Sequence, residues 1–200
     1  MQSLISRDEA QTLLVEHIPD ITQVVEAGWD RWRSVCEAFP AETAQMRRIT
    51  RANLVYDAMV LEAHSRFDGK PDIVVSEARG FLTLTFGHQI VLRFKKFRGS
   101  TLRTAGVDTR QRQQFERQLL VQTLPGMEVT GLVAGYLLDP LEQEIHRIAI
   151  VCPLDGMNIW ELELQRDAAA VVALPHQEVP APTVEVRSTR MPHITQAEEA

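Results

Sequence analysis

The chain has 200 residues, 44% of them hydrophobic, with a net charge of -6 and a pI near 5.5. That length fits one domain with a real core. The acidic balance argues against bulk coating of nucleic acid, which uses a basic domain, but leaves room for a local basic patch. No apolar run approaches the roughly 18 residues of a membrane span, and no apolar run follows a basic segment as in a secretory leader. A cytoplasmic protein without membrane contact is expected.

Ser6-Arg7-Asp8-Glu9 is a capping box, with Ser6 as cap and Glu9 reaching back. A short helix to about Ile18 should follow, interrupted by Pro19, with Asp20 capping the next. That next helix has the strongest periodicity. Ile21, Val24, Val25, Gly28, Trp29, Trp32, Val35, Cys36 and Phe39 form one stripe near a period of 3.6, ended by Pro40. The spacing of Trp29 and Trp32 favours core packing over a ligand-stacking pair. A third helix is expected from Ala41 or Thr43 to Phe67, with Met46, Ile49, Tyr56, Met59, Val60, Ala63 and Phe67 as its stripe. Arg47, Arg48 and Arg51 would form a solvated face on its first half, or touch a partner. Asp68-Gly69-Lys70-Pro71 is a stop.

A meander follows: Ile73–Ala78, a turn at Arg79-Gly80, then FLTLTFGHQIVLRFKKF (residues 81–97) with a tight turn at Gly87-His88. Leu82, Leu84, Phe86, Ile90, Leu92 and Phe94 alternate and can share one buried face. The other face carries Thr83, Thr85, Gln89, Val91, Arg93 and Lys95. Gly99 to Asp108 reads as a loop. Asp108 or Thr109 can cap a surface helix to about Val121, held by Phe115, Leu119 and Leu120. Three more strands are expected: Val129–Leu138, Glu144–Cys152 and Asn158–Leu164. In the second, His146, Ile148, Ile150 and Cys152 share a face. In the third, Trp160, Leu162 and Leu164 oppose Glu161 and Glu163.

The fold class is therefore α+β: a three-helix N-terminal layer on a mainly antiparallel sheet, in the order ααα-βββ-α-βββ. Residues 1–165 form one domain, with 1–68 the helical half and 69–165 the sheet half with its helix. The stretch 166–200, with VPAPTVEV and an acidic end, reads as a largely disordered tail.

Chemistry is sparse. Cys36 and Cys152 read as reduced core thiols, and the six histidines are scattered singly, so neither a metal site nor a cofactor is expected. Nucleophile elbows, P-loops, dinucleotide fingerprints and zinc-protease motifs are missing, and Gly126, Gly131 and Gly135 are turn or strand glycines. The catalytic residues, if any, stay unknown.

The basic cluster stands out. Arg93, Lys95, Lys96, Arg98, Arg103, Arg110, Arg112 and Arg117 face only Asp108 and Glu116, so this segment carries +6 while the remainder carries -12. Such asymmetry marks an anion or phosphate-backbone site, with Arg93, Lys95, Lys96, Arg98, Arg103, Arg110 and Arg112 as its candidates. The alternative is internal pairing: Arg93 and Lys95 against Glu161 and Glu163 across the sheet. A metal-dependent nuclease reading has Asp72 and Glu77 but lacks the acid its third strand should supply. A metal-free ribonuclease could draw on Arg93, Lys95, His88, Arg98 and Tyr136.

The segments GWDRW (28–32), TRANLVYDAMV (50–60), IVLRFKKF (90–97), VAGYLLD (133–139), IAIVCP (148–153) and NIWELEL (158–164) resemble a little-characterised bacterial family. Its members are often encoded beside a helix-turn-helix protein, sometimes one fused to a metallopeptidase-like domain. The resemblance spans about residues 10–165 and implies a toxin–antitoxin or prophage-type context. It carries over no catalytic residues. The expectation is one component of a two-protein module, binding a cognate protein or nucleic acid through the cationic strand and loop. The second expectation is a toxin enzyme acting on RNA or a nucleotide without a metal.

Overall fold

A computed structural model describes residues 4–78, 80–107, 109–119 and 129–165. The expected tail at 166–200, the turn residue Arg79, and Leu120 and Val121 of the expected surface helix lie outside the described residues.

The elements run α1 (Arg7–Leu14), α2 (Ile18–Ala38), α3 (Pro40–Thr43), α4 (Arg48–Phe67), β1 (Ile73–Ala78), β2 (Phe81–Phe86), β3 (Ile90–Arg98), β4 (Arg103–Thr104), α5 (Arg110–Glu116), β5 (Thr130–Leu138), β6 (Ile145–Leu154) and β7 (Met157–Leu164). The strands form one sheet in the order β1-β2-β3-β5-β6-β7, with β4 pairing β3. Neighbours are antiparallel except β3 and β5, which are parallel. A parallel pair needs a crossover, and β4 and α5 lie in it. Among the described residues no helix is long and apolar enough to cross a membrane.

Helices α1, α2 and α4 share a core with one sheet face. The six alternating residues of β2 and β3 are buried there, with Leu132, Ala134, Tyr136, Ile148, Ile150, Cys152, Leu162 and Leu164. The capping box forms, Ser6 Oγ accepting from Glu9 N and Glu9 from Ser6 N. Trp29 is buried and Trp32 packs half-buried beside it, as the spacing predicted. Gly28 is where α2 meets α4: a Cβ there would stand 2.8 Å from the Val55 carbonyl oxygen.

Several boundaries differ from expectation. Pro19 does not interrupt a helix; it sits in the first turn of α2, where its missing N–H costs nothing. His17 is the N-cap, and Asp20 accepts from Arg66 and Lys70 instead of capping. The expected third helix is two, because the backbone is extended at Arg47, the N-cap of α4. Met46 and Ile49 lie away from the core and are 37% and 61% exposed. The loop after β3 contains β4. In β6 a register shift between Leu137 and Leu138 turns Ile145 inward, leaving His146 exposed.

The second sheet face has its own core, which the alternation did not predict. Phe97, Val133, Ala149 and Val151 are buried with Leu102 and Phe115 beneath α5. Strand β5 is therefore buried on both faces, as its run of apolar residues and glycine allows.

Candidate anion-binding cleft

Strand β3 alternates. Ile90, Leu92 and Phe94 face the helices, while Arg93 and Lys95 emerge on the α5 side. Parallel pairing sets Arg93 against Val133 and Lys95 against Gly135. A Cβ at Gly135 would collide with the Lys95 carbonyl oxygen, and one at Gly131 would stand 3.0 Å from Phe115 Cζ. The two glycines thus permit the close approach of β3 and α5 to β5.

Helix α5 is fastened beside the two cations. Thr109 caps it by accepting from Arg112 N at 3.2 Å. Arg112 Nε donates to Glu116 Oε1 at 2.7 Å, and its Nη1 and Nη2 donate to the carbonyls of Gly106 and Thr104, each at 3.1 Å. Thr104 Oγ1 donates to the same carboxylate at 2.7 Å. Gln118, buried with φ 60°, closes the helix end: Nε2 donates to the carbonyls of Gly131 and Pro153, and Oε1 accepts from Gly131 N.

Between this frame and the sheet lies a cleft of about 240 Å³, lined by Phe81, Arg93, Lys95, Val107, Phe115 and Val133 among others. Arg93 Cζ lies 4.2 Å from the Phe115 ring centroid and 5.1 Å from that of Phe81. Lys95 Nζ lies 4.7 Å from Phe81 and 5.8 Å from Tyr56. These are cation–π distances. Neither cation has an ion pair among the described residues, and Arg93 Nε is buried with no acceptor there. Burial pushes the pKa of Arg93 down. Burial also lowers that of Lys95, and the charges of Arg93 and Arg112 add to the effect.

A second groove, of about 340 Å³, is lined by Arg98, Arg103, Arg117 and Asp155, and shares Gly106, Arg112 and Glu116 with the cleft. Its acids are engaged: Glu116 by Arg112 and Thr104, and Asp155 by Arg117 Nε at 3.7 Å. Arg110 is exposed in the first turn of α5.

Two expectations are corrected. Lys96 does not join the cationic set: it points to the helical side, where Nζ donates to Glu142 Oε1 at 2.9 Å. Arg51 and Arg48 meet the same carboxylate. Arg93 and Lys95 do not pair with Glu161 and Glu163, because β5 and β6 separate β3 from β7 and Arg147 takes both acids.

The acid–base set of a metal-free ribonuclease is also dispersed. Tyr136 is in the helix-side core, its ring 6.0 Å from Trp29 and its phenol pushed up to about 12 by burial. His88 sits in the β2–β3 turn at φ 56°. Glu77 of the nuclease reading accepts or shares a proton with His64 Nε2 at 2.7 Å. Among the described residues no three of His, Cys, Asp and Glu converge as metal ligands.

The aromatic walls were missed. The signal was Phe81, which stands out of phase with Leu82, Leu84 and Phe86 and so puts a large ring on the cationic face. No protein-family model, curated protein or solved structure matches this chain.

Proposed function

We propose that this protein is the binding component of a bacterial two-protein module and that it engages nucleic acid through the surface running from Arg93 and Lys95 to Arg98 and Arg103. One observation carries the reading. Two half-buried cations line an aromatic cleft and make no ion pair among the described residues, since the Glu116 carboxylate in its lining is held by Arg112 and Thr104, and a groove with further arginines lies beside it. Desolvating a cation is costly unless something repays it, and an incoming phosphate would do so. The rest of the chain is acidic, which confines phosphate contact to this surface and opposes nonspecific coating.

The test is fluorescence anisotropy with a labelled RNA across a salt series. Affinity should fall steeply between about 50 and 200 mM salt. Replacing both Arg93 and Lys95 with Gln should weaken binding and reduce the salt slope by about one for each lost phosphate contact. Binding that ignores salt, or that survives the double change intact, overturns the reading. Co-expression with the neighbouring gene and recovery of a complex tests the module.

A further inference from the structure

Resting on that reading, we infer that the nucleic acid is single-stranded, with one unpaired base entering the Arg93–Lys95 cleft and the adjoining phosphates following the arginine groove. The cleft and the groove share Gly106, Arg112 and Glu116, so they lie side by side. Their chemistry differs. The cleft is walled by Phe81, Val107, Phe115 and Val133, with two cations inside. The groove is polar, and its arginines outnumber its two engaged acids. A strand has this same division: flat apolar bases on one side and a charged backbone on the other.

Cleft dimensions set the strand state. A volume of about 240 Å³ holds one planar ring system and excludes a base pair. Phe115 is only 3% exposed, so a ligand touches it by insertion. A duplex would have to flip a base to do that, at a few kcal/mol, whereas a single strand offers its bases freely. Phe81 and the Arg93 guanidinium, its Cζ 5.1 Å from that ring, both line the cleft, and aromatic and guanidinium planes are common platforms for unpaired bases. Lys95, beside Phe81, is placed for the phosphate or sugar of the inserted nucleotide, and Arg98, Arg103 and Arg117 for the phosphates beyond.

The experiment compares three fluorescein-labelled probes of one sequence: a short single-stranded RNA, the same strand with abasic sites, and the blunt duplex. The intact strand should bind about tenfold or more tighter than either, since stacking is worth about 1–3 kcal/mol per base. Phe81→Ala should weaken the intact strand by about tenfold and leave the abasic strand unchanged, with the salt slope preserved. Phe81→Leu, which keeps an apolar wall, gives the same reading if the alanine variant melts early. A duplex or abasic strand that binds as tightly as the intact strand overturns base insertion while leaving phosphate recognition standing. Absence of salt-dependent binding to every probe overturns both.

Discussion

Arg147 Nη2 lies 3.0 Å from Glu163 Oε2, and this pair, extended by Glu161 Oε2 at 3.6 Å, neutralises the acidic side of β7, which two strands separate from Arg93 on β3. Arg93 and Lys95 of β3 are left without an ion pair among the described residues. Changing Glu161 and Glu163 together to Gln should therefore lower stability by no more than about 1 kcal/mol, the scale of partly exposed ion pairs. It should leave affinity for a single strand within about twofold at physiological salt, because separated surface charges are screened. A urea titration and the anisotropy assay check the two halves. A large rise in affinity would mean that these acids do compete for Arg93 and Lys95.

Glu142 fastens the β5–β6 connection to α4. Lys96 and Arg51 beside its carboxylate hold its pKa down to about 2. A depressed carboxylate stabilises the fold above its unfolded value near 4.5, and that contribution is lost as pH falls toward about 2. Glu142→Gln should cost roughly 1–3 kcal/mol at neutral pH. Its stability should also fall less than the wild type's through the acid limb. Urea midpoints from pH 7 downward measure this, and parallel acid limbs would count against it.

His64 joins the end of α4 to β1. Its Nδ1 lies 2.9 Å from Asp68 Oδ2 and its Nε2 lies 2.7 Å from Glu77 Oε1. Hydrogen bonds to Asp68 first and Glu77 next raise the imidazole pKa above 6.5. A raised histidine stabilises the fold in full below the unfolded value, and the contribution disappears as pH rises through the folded one. His64→Gln should therefore be less stable than wild type near pH 5.5, with the gap closing as pH rises past neutrality. Thermal melts at the two ends of that range decide it. A gap that widens with pH would refute the assignment.

Much of the frame was legible in the sequence for local reasons. Alternation in residues 81–97 fixed which side of β2 and β3 is buried, since a strand's period of two leaves no other solution once one face is apolar. Ser6 and Glu9 marked a helix start because the capping box is contained within four residues. Local pattern failed where long-range contacts decided the outcome. His146 is exposed because of a shift in pairing with β5, and Met46 and Ile49 are exposed beside the helix break between Thr43 and Arg48.

The sequence by itself determined the mixed helix-and-sheet class, the helix-side core and the concentration of positive charge between Arg93 and Arg117. These depend on spacing along the chain. Only the tertiary structure decided which cations lie together. Strand order sends Glu161 and Glu163 to Arg147, the period of β3 sends Lys96 to Glu142, and the parallel crossover lays Phe115 beside Arg93. Charge is a property of residues, but the partner of a charge is set by which strands become neighbours.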